Sequence, residues 1–167
     1  MIKEEKAIFA MGCFWQPDYV FSKVKGVIRT RVGYIGGHVN LKNPTYEQVC
    51  SSETGFAEAI EITFDSKIIT YSELLDLFWT NHDPTQMNRQ GPDIGTQYRS
   101  AIFYLEDKQK KQALNSLKKW RPNLLDKSKQ IITEITKATT FYAAEDYHQK
   151  FLEKTGRSCH IAKNVFK

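Results

Sequence analysis

Cys13 stands where a short apolar run, Ala7 to Ala10, hands over through Met11 and Gly12 to a stretch that reads as an amphipathic helix. A thiol at such a junction sits among backbone N–H groups with no intrahelical partner, and those donors favour the thiolate over the thiol. That is the setting of a sulfur poised to attack an electrophile. Free cysteine is also a common buried hydrophobe, so position alone leaves both readings open. Phe14 and Trp15, two large aromatics beside an accessible thiol, would wall a pocket for an apolar ligand. The second candidate is Glu58. Period-two alternation over Ala57 to Phe64 puts Glu58 in phase with Ile60, Ile62 and Phe64 on the apolar face, and Glu61 and Thr63 on the other. A carboxyl on a buried face without a cation partner keeps its proton near neutrality and can donate it. The alternative is a strand end that reaches solvent or a loop N–H.

The elements that must hold these groups follow from local pattern. Phe14, Phe21 and Val24 recur at helical spacing, Pro17 removes one donor so that regular helix begins near Gln16, and Gly26 is a stop. Val27 to Tyr34 alternates, with Ile28, Thr30, Val32 and Tyr34 on one face and Arg29 and Arg31 on the other. The following glycine-rich stretch, Gly33 to Gly37, lacks the spacing and lysine of a phosphate loop and reads as a turn. Pro44 to Glu47 opens a short helix carrying Tyr46, Val49 and Cys50, with Cys50 read as packed rather than reactive. Thr70-Tyr71-Ser72-Glu73 matches a capping box ahead of a stripe of Tyr71, Leu74, Leu75, Phe78 and Trp79.

Asn81 to Gln97 contains Pro84, Gly91, Pro92 and Gly95 and no regular period. Loops of that length within a compact fold are usually functional or disordered, and Asp83, Asp93, Tyr98 and Arg99 are its candidates. An Asx turn at Asp83 and a surface ion pair at Arg99 are the bland alternatives. Tyr98 to Leu105 reads as a strand, Glu106 to Trp120 as a helix, Gln130 to Lys137 as β-rich, and Ala143 to Lys154 as a helix presenting Ala144, Tyr147 and Phe151. His148 in that last segment reads as a core or edge histidine. The order of strands and helices is that of an α+β domain with a split βαβ core, a mixed sheet with helices packed against it, and a C-terminal extension.

Composition excludes several classes. The chain is 41% hydrophobic and 26% charged, in the range of globular proteins, and its length fits one domain over residues 1–167. Lys and Arg exceed Asp and Glu by 24 to 19, and the clusters Lys108 to Lys111 and Lys118 to Arg121 read as solvated helix faces, not as a nucleic-acid surface. Three cysteines without a C-x-x-C pair make neither a disulfide framework nor a zinc site. No apolar run approaches the ~20 residues of a membrane span, so a cytoplasmic protein with neither nucleic-acid nor membrane partners is expected.

The run Gly12-Cys13-Phe14-Trp15, followed by Asp18 and Phe21, resembles the peptide-methionine (S)-S-oxide reductases, the type A methionine sulfoxide reductases. Further blocks resemble that family in its own order: Gly33 to Gly37, Pro44 to Tyr46 with Val49-Cys50-Ser51, Thr54 to Glu58, Phe78-Trp79 with His82 to Thr85, Asp93 to Ser100, and Ala144-Glu145 with His148-Gln149. The resemblance implies a ferredoxin-like core, no cofactor, and thiol-dependent reduction of methionine-S-sulfoxide, free or in oxidised proteins, in repair of oxidative damage. It implies Cys13 as the nucleophile, Phe14 and Trp15 as the pocket for the substrate methyl, Glu58 as the acid, Tyr46 and Tyr98 as hydrogen-bond donors to the sulfoxide oxygen, and Asp93 in support. Cys159, followed by His160 and Ile161, matches the resolving cysteine, with thioredoxin as reductant and a monomer expected. Departures are Asp18 for the usual glutamate, which touches a local helix contact, Phe56 for a common histidine, which would dry the surroundings of Glu58, and a tail with one cysteine and no Asn-Pro-Gly-like turn. Two rivals remain: a cysteine hydrolase or acyltransferase pairing Cys13 with His38, His82 or His148, and a binding module that grips apolar or oxidised peptides through Phe14 and Trp15.

Overall fold

The structure is a computed structural model that describes residues 1–38, 40–157 and 163–167. In chain order its elements are β1 (Glu4–Met11), α1 (Trp15–Ser22), β2 (Val27–Ile35), α2 (Tyr46–Cys50), β3 (Ala57–Asp65), α3 (Tyr71–Thr80), β4 (Arg89–Gln90), β5 (Asp93–Ile94), β6 (Ser100–Tyr104), α4 (Asp107–Trp120), β7 (Glu134–Lys137), β8 (Tyr142–Ala143) and α5 (Phe151–Thr155). Six strands form one sheet in the order β7-β6-β1-β3-β2-β8. Its pairs are antiparallel except β6 with β7, which is parallel. The inner strands β6-β1-β3-β2, crossed by α1 and α3, are the split βαβ arrangement that the sequence pattern predicts.

β3 is central and every one of its residues is buried. Ile60, Ile62 and Phe64 meet Phe9, Phe21, Leu74, Phe78 and Trp79 on one face, while Ala57 and Ala59 meet Ile8, Ala10 and Phe103 on the other. Alternation thus sorts the strand into two packed faces, and the side of Glu61 is covered by Lys6 and Arg31, which pair with its carboxylate. The capping box forms at α3: Thr70 Oγ1 accepts from Glu73 N–H, and the Glu73 carboxylate accepts from Thr70 N–H. Among the described residues no helix is long and apolar enough to cross a membrane.

Four expectations need correction. Ile28, in phase with Thr30 and Val32, is exposed, because the β2–β3 register shifts between Val27 and Arg29 and the bulge turns it out. The segment around Tyr98 is a single 3-10 turn, Thr96–Tyr98, and the strand begins at Ser100; likewise only Glu134–Lys137 of the β-rich stretch pairs. Residues 143–154 do not make one helix. They divide into β8, a 3-10 turn Asp146–His148 and the short α5. The cause is that their polar groups serve distant partners: the Gln149 amide bonds both Val32 N–H and Val32 C=O, and Lys150, in the left-handed region at φ 56°, gives its N–H to the Asp18 carboxylate.

Candidate active site

The chain leaves β1 at Gly12, whose φ of +88° is a backbone turn that favours glycine. A Cβ there would lie 2.6 Å from Gln90 Cβ, so β4 lies directly against this turn. Half-buried Cys13 follows, and α1 begins two residues later at Trp15 with Phe14 as its N-cap. Phe14 N–H donates to Glu58 Oε1 at 3.2 Å, so the residue after the thiol is tied to the carboxyl. Glu58 is 1% exposed, and its Oε2 has no hydrogen-bond partner among the described residues. Burial pushes its pKa up to about 8; the Phe14 N–H works against that rise and the charge of Asp93 adds to it. A carboxyl raised that far favours its acid form at neutral pH, and Oε2 meets no partner for it among the described residues.

Two tyrosines flank this carboxyl. Burial raises Tyr46, with its hydrogen bond to Cys50 and the charge of Glu58 adding to the effect. Burial also raises Tyr98, followed by the charges of Glu58, Cys50, Asp93 and Cys13. Both remain hydroxyl donors across the neutral range. Those couplings bring Cys13, Tyr46, Glu58, Asp93 and Tyr98 into one site. The irregular loop supplies Asp93 and leads directly into Tyr98, and its geometry is locked: β4 and β5 pair Gln90 with Asp93, and the Gln90 amide bonds Asp83 N–H and C=O.

The aromatic pair divides its work. Phe14 is fully buried in a cluster with Val32, Tyr34, Val49, Phe56 and Ala144, whereas Trp15 is half-buried and stacks on Phe151 with centroids 3.8 Å apart and planes 13° apart. Phe56 packs edge-on against Tyr142 and lies against Gly37. Cys50 is not sealed in the core: it is half-buried with the Tyr46 hydroxyl as partner, and burial raises its pKa. Asp83 accepts from Thr85 N–H and Oγ1–H in a turn, and Arg99 pairs with Glu134 at 3.2 Å, so these two loop candidates hold structure. Cys159, with His160 and Ile161, lies outside the described residues.

The family model described as peptide methionine sulfoxide reductase matches residues 5–167. The chain belongs to that family. It is 54% identical to the peptide methionine sulfoxide reductase MsrA of Methanothermobacter thermautotrophicus, over 92% of this chain and 89% of that relative. Among solved structures it resembles reduced Mxr1 from Saccharomyces cerevisiae, at a TM-score of 0.89 and 34% identity over 99% of this chain and 93% of that one. It likewise resembles methionine sulfoxide reductase A of Corynebacterium diphtheriae, at 0.87 and 34% over 98% and 84%. Mxr1 has also been solved in complex with Trx2; that chain matches at 0.64 and 23% over 99% and 91%.

Site residues that composition and periodicity do not reveal cluster in one segment of this reductase, 142–151. Glu145 accepts from the Tyr34 hydroxyl at 2.8 Å and from Tyr46 N–H at 3.0 Å, fixing the first residue of α2. Burial would raise its pKa, but the backbone N–H of Glu145 itself, that of Tyr46 and the Tyr34 hydroxyl together hold it low. The histidines proposed as bases have other partners: His82 bonds Phe78 C=O and Ser100 Oγ, with burial lowering it to about 4, and His38 bonds Glu53 C=O. His148 accepts from the Trp15 indole. The Ala-Glu-x-x-His-Gln run was the one available signal for these contacts.

Proposed function

We propose that this reductase converts methionine-S-sulfoxide, free or in oxidised protein, to methionine, with Cys13 as nucleophile and Glu58 as acid. The observation that carries the reading is a buried carboxyl, its Oε1 tied to the residue next to a half-buried thiol and its Oε2 without a partner among the described residues, in surroundings that favour the acid form. A sulfoxide is a weak electrophile at sulfur, so attack needs a thiolate and a proton for the oxygen together. The substrate methyl would lie against Trp15 and Phe14, and the oxygen would take hydrogen bonds from Tyr46 and Tyr98 and the proton from Glu58, whose acid form burial favours and the charge of Asp93 supports. The oxygen moves to the Cys13 sulfur, methionine leaves, and Cys13 becomes a sulfenic acid. The Cys159 thiol would then displace it as water to form a disulfide, and a dithiol reductant would return both thiols. Thioredoxin is the proposed reductant, in line with the Mxr1 complex with Trx2, and a monomer in a reducing cytoplasm is the proposed setting.

The test is turnover with each sulfoxide epimer and dithiothreitol, followed by mass spectrometry of the protein quenched after one turnover. The S-epimer should be consumed and the R-epimer spared, Cys13→Ser should lose roughly 10⁴-fold or more of the rate, and a Cys13–Cys159 link should appear. No reduction of either epimer would overturn the reading. Reduction without that link would overturn only the recycling route.

A further inference from the structure

His148 is 1% exposed and lies at the meeting point of the site's aromatic side chains. Its ring centroid is 5.1 Å from Phe14, 5.8 Å from Trp15, 4.5 Å from Tyr46 and 4.1 Å from Tyr147. The Trp15 indole Nε1–H donates to its Nδ1 at 3.0 Å, which places the ring proton on Nε2. Nε2 is buried and finds no hydrogen-bond partner among the described residues. A second proton, on Nδ1, would face the indole N–H, break that bond and leave two ring donors and the indole unsatisfied inside the site.

We propose that His148 is the positioning residue of the methyl-binding wall: its neutral ring holds the Trp15 indole in place, and its protonation in acid releases the indole and weakens sulfoxide binding. Trp15 is then clamped from two sides, by the stack on Phe151 and by one directional bond from the histidine. The charged groups that act on the ring are Glu145 of its own segment and Glu47 of α2, while Tyr46, Tyr147 and Trp15 present neutral rings. Both carboxylates favour the imidazolium, but burial outweighs them and keeps the ring below the usual imidazole range. The clamp is therefore whole at neutral pH and opens only as pH falls. It acts on KM, whereas loss of the Glu58 proton at high pH acts on the chemical step.

This inference rests on the reductase reading, and the experiment separates the two. Kinetics of a methionine-S-sulfoxide peptide from about pH 5 to about 8 would be measured for the protein, His148→Phe and His148→Gln, alongside the indole ¹⁵N–¹H signals. KM of the unaltered protein should rise about fivefold toward acid, the equivalent of one hydrogen bond. His148→Phe should show that raised KM at every pH. His148→Gln, which offers an acceptor that does not titrate, should recover most of the loss and show no acid rise. The Trp15 indole signal should titrate in the unaltered protein and stop doing so in His148→Gln. Trp79 and Trp120, whose indoles donate to Ser116 and Asp76, serve as internal controls for folding. An acid rise in KM that survives in His148→Gln, or a Trp15 signal that does not titrate, would overturn the proposal. The indole arm needs no turnover, so it stands even if the protein reduces no sulfoxide, and it decides the matter if His148→Phe fails to fold.

Discussion

Glu58 and Asp18 are both 1% exposed, and both carboxyls touch the first turns of the same helix. Asp18 is saturated: Oδ1 accepts from Thr30 Oγ1 at 2.6 Å and from Lys150 Nζ at 2.8 Å, and Oδ2 accepts from Lys150 N–H at 2.8 Å. Lys150 Nζ also bonds Thr30 Oγ1 and Thr30 C=O. Glu58 has one bond of 3.2 Å and a negative neighbour in Asp93. Equal burial thus has opposite outcomes. Three donors, one of them a cation, turn one carboxyl into a tie between α1, β2 and the C-terminal segment, and their absence leaves the other with its pKa raised by burial. Asp18 is also not the local helix contact that its place in the sequence suggests, since its partners lie 12 and 132 residues away.

Removing the acid has the largest effect. Glu58→Gln keeps an acceptor for Phe14 N–H but has no proton to give, so kcat should fall by about 10²–10⁴-fold. In the unaltered protein kcat should also decline as pH rises through about 8, because the acid form is lost there, and Glu58→Gln should abolish that decline. Stopped kinetics at saturating sulfoxide check both. Next comes Lys150→Met, which makes Asp18 resemble Glu58 by taking its cation away. One partner of a buried pair is lost, though Lys150 is itself about a third exposed, so unfolding should become easier by about 3 kcal/mol at neutral pH. Denaturant melts of the two proteins at neutral pH check this. The smallest effect is expected from Phe151→Ala: Trp15 loses its stack, and KM should rise about three- to tenfold with kcat little changed.

The burial of Glu58 is legible in the sequence because a strand has a period of two and Glu58 falls on the apolar face; the place of Cys13 is legible because Gly12 marks the end of one element and the aromatic pair the start of another. Tyr46 follows from resemblance alone, and the long irregular loop offers Asp93 and Tyr98 only beside Asp83 and Arg99, so that resemblance is needed to separate the two pairs. The residues that hold the site, Glu145, His148 and Lys150, were read as one amphipathic helix. Their helical spacing is real but unused, because each makes its decisive bond to a residue more than 90 positions away: Glu145 to Tyr46, His148 to Trp15, Lys150 to Asp18. Periodicity reports which face is apolar, and it cannot report a backbone that gives up helical bonds to satisfy another element. The bulge that turns Ile28 outward escaped for a related reason, since register is a property of two strands and not of one.

The central claim is that Glu58 carries a proton at neutral pH in the resting protein, and it can be observed without any substrate. Titration of the Glu58 side-chain carbonyl by ¹³C NMR, assigned by its disappearance in Glu58→Gln, should give a midpoint of about 8. A midpoint in the ordinary glutamate range, near 4.5, would mean the carboxylate is ionised throughout the working range and could not supply the proton that the sulfoxide oxygen needs.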